Sequence, residues 1–149
     1  MKIMHKLFVA ALMFIVVACS DTGSSASGYW KSATTANGYL WLNLSDNNGS
    51  VSGTTGVSTS TGSIQISGSR SGSTLSLRVA DSSGSIELTG PISGDTFSAT
   101  TKVCTTTCSS GPITFGRTAA PTLATTASSQ SSGQSLSQSL IETIKKFIR

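Results

Sequence analysis

The sequence has very few of the residues that carry out chemistry. Its 149 residues include one histidine, His5, six acidic residues and three cysteines. Because His5 lies in a segment that we predict to be removed, no Ser/His or Cys/His pair is left for nucleophilic catalysis. Asp46, Asp81 and Asp95 fall in predicted hairpin turns, where Asp is a turn former, and no residues have the spacing of metal ligands. The sequence therefore predicts a non-catalytic protein with no cofactor and no bound metal.

Charge is also scarce. Only 11% of the residues are charged, whereas about 25% are charged in an average soluble protein. The formal net charge is +4, and it falls to +2 when Lys2 and Lys6 are removed with the N-terminal segment. Such a small and scattered balance argues against a nucleic-acid partner. Ser, Thr and Gly replace the charged residues, as is typical of exported β-proteins.

No apolar run is long enough to cross a membrane as a helix. The N-terminal run, from Leu7 to Ala18, has twelve residues, and a membrane-spanning helix needs about 20. The run follows Lys2 and Lys6, and a basic start before a short apolar run is typical of a secretory signal. We therefore predict a signal peptide over residues 1–18.

The predicted signal peptide runs into Val-Val-Ala-Cys at residues 16–19, which resembles the lipobox of bacterial lipoproteins. The resemblance implies cleavage before Cys19 by signal peptidase II and acylation of that cysteine, palmitate being one such chain. Three acyl chains exceed the two signals that stable membrane anchoring requires. Residues 19–27 would then form an acylated N-terminus and tether. Ser20, where an inner-membrane lipoprotein carries Asp, implies the outer membrane, with the outer leaflet of the inner or cytoplasmic membrane as the alternative.

From residue 28 to residue 118, apolar residues alternate with Ser and Thr. A period of two, with turn-forming residues between the runs, is the pattern of half-buried antiparallel strands. We predict eight strands, near residues 28–34, 38–45, 49–56, 62–70, 73–80, 84–92, 95–103 and 112–118.

An internal repeat sets the hairpins. SIQISGSRSGSTLSL (63–77) aligns with SIELTGPISGDTFSA (85–99). Gly72 and Gly94 take the first central position of a two-residue loop, where a type II′ turn requires a positive φ. Each copy is therefore predicted to be a tight hairpin.

The hairpin between the two copies predicts its own register. With DSSG (81–84) as the turn, Val79 faces Ile86 on the inside. The same register places Arg78 opposite Glu87 on the outside, an oppositely charged pair of the kind that stabilises neighbouring strands.

Two repeated glycines predict closure of the sheet. Gly68 and Gly90 fall in the inward phase, where a glycine lets a strand bend sharply. Eight short strands joined by tight turns predict an all-β antiparallel up-and-down meander that closes into a barrel; a two-sheet sandwich is the alternative. The pattern resembles the lipocalin-like or avidin-like small barrels of bacterial lipoproteins. Since the inward residues are mostly large, we expect a filled interior rather than a ligand cavity.

Cysteine and aromatic residues mark two further features. Cys104 and Cys108 remain after Cys19 is acylated, and in an exported protein they are expected to form a disulfide. Zinc is the alternative, although no further ligand lies nearby in the sequence. Tyr39 and Trp41 are opposite in phase to the leucines of their strand, so we predict an outward contact patch. The alternative is that they pack against the N-terminal strand.

The end of the chain changes character. Residues 119–135 are predicted to form a linker, and residues 136–149 are predicted to form an amphipathic helix with basic residues in its last turns. This helix has three alternative surfaces: the barrel, the membrane interface and a groove in another protein. The residues that would make the contact are Leu136, Leu140, Ile141, Ile144, Lys145, Lys146, Phe147, Ile148 and Arg149.

These features predict a membrane-anchored envelope lipoprotein in which the barrel is a non-catalytic binding or scaffolding module. A lipocalin-like carrier of a small apolar ligand is one alternative. An inhibitor of an envelope enzyme, with the Cys104–Cys108 loop as the inserting element, is another. The sequence does not identify a binding partner beyond the membrane.

Overall fold

The computed structural model describes residues 24–59, 63–120 and 138–148. The predicted signal peptide, Cys19, Leu136, Arg149 and most of the predicted linker lie outside the described residues. The side chain of Leu140 is likewise not described.

Eight consecutive antiparallel strands close into a barrel. Closure is made by β1, which pairs with β2 on one side and with β8 on the other. In the described residues one short helix, α1, follows the barrel. The elements are β1 (Gly28–Ser32), β2 (Leu40–Asn47), β3 (Ser50–Val57), β4 (Ser63–Ser71), β5 (Thr74–Asp81), β6 (Gly84–Ser93), β7 (Thr96–Cys104), β8 (Cys108–Thr118) and α1 (Gln138–Lys145). The predicted closed barrel is confirmed, and the sandwich alternative is wrong.

The register predicted for the β5–β6 hairpin is the one observed. Val79 pairs with Ile86 and Arg78 with Glu87, and Arg78 Nε lies 3.4 Å from Glu87 Oε1 on the exposed side. The turn glycines Gly72 and Gly94 have φ values of 57° and 56°, as a tight turn that starts with a positive φ requires.

Two inward glycines allow the strands to come close. A Cβ atom added to Gly68 would overlap the carbonyl oxygen of Ser76 on β5, and one added to Gly90 would overlap that of Ser98 on β7. The two contacts stand at equivalent positions of the sequence repeat. These glycines therefore permit the bends that close so small a barrel.

Alternate residues of every strand fill the interior. Aromatic rings occupy one part of it: Trp30 meets Phe97 edge-on, with ring centroids 6.3 Å apart, and Phe97 stacks on Phe115 at 5.8 Å. The other buried apolar side chains of the strands are those of Leu40, Leu42, Leu44, Val51, Val57, Ile64, Ile66, Leu75, Leu77, Ile86, Leu88, Ile92, Ala99, Val103 and Ile113. They form one continuous core together with Ala26 and three residues of the C-terminal segment.

The inward glycines generate the first prediction. Gly90→Ala is expected to lower the free energy of unfolding by about 1–3 kcal/mol, because the added methyl group must displace the backbone of β7. The matched control is Gly116→Ala on β8, where an added Cβ meets no atom within 4 Å and the change should stay within about 0.5 kcal/mol. Urea unfolding followed by far-UV circular dichroism measures both. Equal effects of the two substitutions would contradict the close approach at Gly90.

Candidate functional site

The barrel has two ends with different chemistry. The connections after β1, β3, β5 and β7 lie at one end, which we call the helix end; those after β2, β4 and β6 lie at the other, which we call the strap end. The inward residues nearest the helix end are mostly apolar, such as Val57 and Val103. Those nearest the strap end include three charged residues, Asp46, Arg70 and Arg117.

The C-terminal segment covers the helix end. Ile141, Ile144 and Ile148 are buried in the same core as the barrel interior. Helix α1 contacts β3 and β7, which stand opposite each other in the barrel order, so it lies across the opening. A polar contact accompanies the apolar ones, since Lys145 Nζ lies 3.4 Å from Thr105 Oγ1. In the structure, therefore, the amphipathic helix is docked on the barrel.

The polar side of the C-terminal segment faces outward. Glu142 and Lys146 are exposed, and Phe147 is half-buried. Lys145 donates a hydrogen bond of 2.8 Å to Glu142 Oε1, one turn earlier. Glu142 thus remains at the surface and Lys145 is partly covered, while Ile141 and Ile144 enter the core.

Residues 24–27, which we call the N-terminal strap, cover the strap end. Ala26 is fully buried. Its amide donates to Asp46 Oδ2 at 2.9 Å, and its carbonyl oxygen accepts a hydrogen bond of 2.9 Å from Trp30 Nε1. Ser27 Oγ in turn accepts one of 2.8 Å from the amide of Asp46. The last four residues of the predicted tether are thus packed on the barrel, while residues 19–23 lie outside the described part of the chain.

A buried ion pair lies beneath the strap. Asp46 Oδ2 is 2.5 Å from Arg70 Nε, and the two side chains are only 2% and 7% exposed. Burial by itself raises the pKa of the Asp46 carboxyl, but hydrogen bonds from Ala26, Arg70 and Gly49 and the charge of Arg70 outweigh it, so the pKa lies below its usual value. The carboxylate is therefore the acceptor that joins the strap, the β2–β3 turn and β4.

Arg117 completes the polar contacts at this end. Its guanidinium lies 4.2 Å from the centre of the Trp30 ring, within the range of a cation–π interaction. It donates hydrogen bonds to the carbonyl oxygens of Ser25, at 2.6 Å, and Ser27. Arg117 Nε also lies 3.1 Å from Asp95 Oδ1. The strap is thus held by β2 through Asp46 and by β8 through Arg117.

These charged positions were missed at the sequence level, although a signal was present. Asp46 was interpreted only as a turn former, and it does accept a hydrogen bond from the amide of Gly49 in the turn. However, Asp46, Arg70 and Arg117 each follow an inward residue by two positions. Charged side chains in the inward phase of a strand must be paired. Their positions in the sequence would therefore have predicted a cluster of polar contacts at this end of the barrel.

The two cysteines lie at the helix end. The Sγ atoms of Cys104 and Cys108 are 2.10 Å apart, and the two residues face each other where β7 and β8 begin to pair. The predicted disulfide pairing is therefore supported by the distance. Thr106 and Thr107 between them are exposed, next to the covered opening.

Tyr39 and Trp41 are part of a half-exposed aromatic group on the outside of β1 and β2. Tyr29 and Trp41 stack with ring centroids 6.0 Å apart, and Lys31 Nζ lies 4.0 Å from the centre of the Tyr39 ring. Burial, and the neighbouring Tyr39, raise the pKa of Tyr29. We call Tyr29, Lys31, Tyr39 and Trp41 the aromatic flank. Tyr39 and Trp41 therefore point outward, and they also pack against side chains of the N-terminal strand β1.

Three buried hydroxyl groups lie among the apolar core residues. Ser32 Oγ accepts a hydrogen bond from the amide of Leu40, and Thr55 Oγ1 donates one to the carbonyl oxygen of Trp41. Thr101 Oγ1 is the one buried side-chain oxygen without a partner in the described residues. An unpaired buried hydroxyl costs about 1–3 kcal/mol, so Thr101 opposes folding slightly.

Across the described ranges, no three His, Cys, Asp or Glu side chains are grouped closely enough to bind a metal ion. Within the same ranges, no helix has the length and apolar character needed to cross a membrane. No protein-family model matches the chain, and no curated protein or solved structure matches it significantly. The fold and the surfaces above are therefore the basis for any functional proposal.

The buried ion pair generates a prediction about pH. Asp46→Asn is expected to lower the free energy of unfolding at pH 7 by about 3 kcal/mol, because the buried guanidinium of Arg70 loses the carboxylate charge beside it. Since the pKa of Asp46 is lowered in the folded state, the stability it provides is present above the unfolded pKa and is lost as the pH falls through the folded pKa. The difference between wild type and variant should thus shrink below pH 3.8, the usual value for Asp.

The measurement is urea unfolding at pH 7 and at a series of acidic pH values. The control is Glu87→Gln in the exposed Arg78–Glu87 pair, which should change the stability by less than about 1 kcal/mol. A constant difference between wild type and Asp46→Asn at every pH would contradict the role given to the carboxylate.

The covered helix end generates a second prediction. Ile141→Ala is expected to destabilise the protein by about 2–5 kcal/mol, because it truncates a side chain of α1 that is fully buried in the core. Lys146→Ala, at the exposed position directly after the end of α1, should change the stability by no more than about 0.5 kcal/mol. Thermal and urea unfolding of the full chain test both. If the two variants were equally stable, docking of α1 would contribute nothing to the folded state.

Proposed function

We propose that this chain is a lipid-anchored, non-catalytic binding module of the bacterial envelope, in the outer membrane, and that it makes its contacts through the outside of the barrel. The observation that carries the proposal is the filled interior with both ends covered. Cys19 would carry the acyl chains, and the barrel would be displayed at the membrane surface. The alternative location is the inner or cytoplasmic membrane.

The interior supports an outside function rather than a carrier function. A pocket for a small molecule has a volume of about 300–1,000 Å³, whereas fully buried side chains, Trp30, Phe97 and Phe115 among them, occupy this interior. A ligand entering at the strap end would have to displace Ala26 and expose the Asp46–Arg70 pair. A ligand entering at the helix end would have to displace three buried isoleucines.

Two further features favour the envelope. The cysteine pair at Cys104 and Cys108 is of the kind that persists in an oxidising compartment outside the cytoplasm. The strap places the first described residues directly at the barrel wall, so an acylated Cys19 would hold the domain close to the lipid. The exposed Thr106 and Thr107 in the cysteine loop keep an enzyme-inhibitor role open as a specific form of the binding module.

Acylation of Cys19 is tested in a Gram-negative host grown with alkyne-labelled palmitate. The full chain should incorporate label and enter the detergent phase on Triton X-114 partitioning, and Cys19→Ser should lose both properties because it removes the sulfur. The matched control is the double variant Cys104→Ser/Cys108→Ser, which should keep both. The proposal of an anchored lipoprotein would be contradicted if Cys19→Ser still incorporated label, or if the wild-type chain stayed in the aqueous phase.

The outside-binding part of the proposal is tested separately. Purified protein is extracted with organic solvent and the extract is analysed by mass spectrometry against an extract of the Asp46→Asn variant. The proposal expects no stoichiometric small molecule from the wild-type protein. A lipid or other apolar compound recovered at one per chain would instead establish the carrier alternative.

A further inference from the structure

The outside of the barrel is uneven in its aromatic content. Among the described barrel residues, the aromatic side chains that point outward are those of Tyr29 on β1, Trp41 on β2 and Tyr39 directly before β2. The remaining barrel aromatics are buried inside. Elsewhere the outward positions of the strands carry mainly Ser and Thr. Three grouped rings on an otherwise hydroxylated surface mark a contact region.

The neighbourhood of these rings contains no acidic side chain at an outward strand position. In the described strands β8, β1, β2 and β3, the outward residues are neutral except for Lys31. Asn43 and Thr54, which follow Tyr29 in the same cross-strand row, are examples. Removing such a surface from water therefore requires the desolvation of only one charge, and a lysine can keep its ammonium in water while its stem is covered.

The opposite side of the barrel has the opposite character. Arg78, Glu87 and Lys102 form one cross-strand row on β5, β6 and β7. In the closed order of eight strands, β5 stands opposite β1 and β6 stands opposite β2. The barrel thus has an aromatic, nearly uncharged side and, across from it, a charged side suited to water.

The strap would join the proposed acyl anchor to β1, the strand that carries Tyr29 and Lys31. Its hydrogen bonds go to Asp46 on β2 and Arg117 on β8, the two strands on either side of β1. Cys19 precedes Ser24, the first described residue, by five positions. A chain of that length spans at most about 17 Å, so the proposed anchor would stay close to the end of the barrel at which β1 begins.

The chemistry of the flank fits the boundary of a lipid bilayer. Tyr and Trp have an apolar ring and a polar group, and they concentrate at the level of the lipid head groups. A lysine among them adds attraction to anionic lipids. A glycan strand also stacks on aromatic rings, but a lipid surface fits in addition the proposed acyl anchor and the charged row that stays in water on the opposite side.

From these observations we infer that the aromatic flank is a lipid-contacting surface, and that it lays the barrel sideways on the membrane that holds Cys19. The inference rests on the proposed function, because it requires the acyl anchor. The anchor then supplies attachment, and the flank supplies orientation. The charged row and the exposed part of α1 are left for other partners.

Trp41 is a built-in probe of this contact, since Trp30 is fully buried in the interior. The acylated full chain is reconstituted in vesicles of phosphatidylethanolamine and phosphatidylglycerol, with or without brominated acyl chains. Brominated lipid should quench part of the tryptophan emission of the wild type. Trp41→Phe, which keeps an aromatic ring but removes the probe, should show no quenching of the remaining Trp30.

A second pair of variants keeps the test independent of tryptophan. A fluorophore attached at Asn43→Cys, on the aromatic side, should be quenched strongly, whereas one at Thr89→Cys, on β6 opposite, should not; both positions are exposed. Equal quenching at the two positions, or none at either while the protein floats with the vesicles, would overturn the inference and leave the proposed function standing. A chain that does not float at all would overturn both.

The glycan alternative is tested in parallel. If the chain sediments with insoluble cell-wall glycan and Trp41→Ser abolishes this, while brominated lipid leaves Trp41 emission unchanged, then the flank binds glycan and the lipid inference is wrong. If sedimentation is absent or unaffected by Trp41→Ser while quenching is observed, the lipid contact is supported.

Discussion

Closure of the sheet between β1 and β8 is the constraint on which the rest of this structure depends. Closing removes both sheet edges, and it requires the inward glycines that let neighbouring strands approach. Closing also creates two openings, through which core residues would otherwise meet water. The opening lined by Val57 and Val103 needs an apolar cover, and the isoleucines of the C-terminal segment supply it. The opening lined by Asp46 and Arg117 needs hydrogen-bonding groups, and the backbone of the strap supplies them.

The strap and the buried ion pair depend on each other. A buried pair is stabilising only when its remaining hydrogen-bonding capacity is satisfied. The amides of Ala26 and Gly49 satisfy the Asp46 carboxylate, and the same carboxylate holds Ala26 in its buried position. Without the strap, the carboxylate of Asp46 loses a hydrogen-bond donor. Without that carboxylate, the amide of the buried Ala26 loses its acceptor. The sequence just before β1 is therefore part of the folded domain and not merely a connection to it.

The strands were predictable because a half-buried strand has a period of two. The register was predictable where a charged pair and an apolar pair agreed, as at Arg78–Glu87 and Val79–Ile86. The strap was not predictable, since Ser, its main residue, is also typical of flexible linkers. Its order comes from Asp46 and Arg117, which are far away in sequence. The surface that receives α1 was not predictable either. Helical spacing identifies the apolar face of a helix, whereas the receiving surface is formed only when β3 and β7 face each other across the closed barrel.

A barrel with a filled interior must obtain its specificity from the outside. Rows of Ser and Thr at equal spacing resemble one another on every strand, so they distinguish neither a direction nor a partner. The described surface departs from that uniformity at the aromatic flank, the charged row of Arg78, Glu87 and Lys102, and the covered helix end with the Cys104–Cys108 loop beside it. The flank and the charged row lie on opposite sides, and the helix end lies away from the strap that leads to the predicted anchor. If the proposed anchor holds the barrel at a membrane, the surfaces that do not face the lipid remain accessible to other molecules.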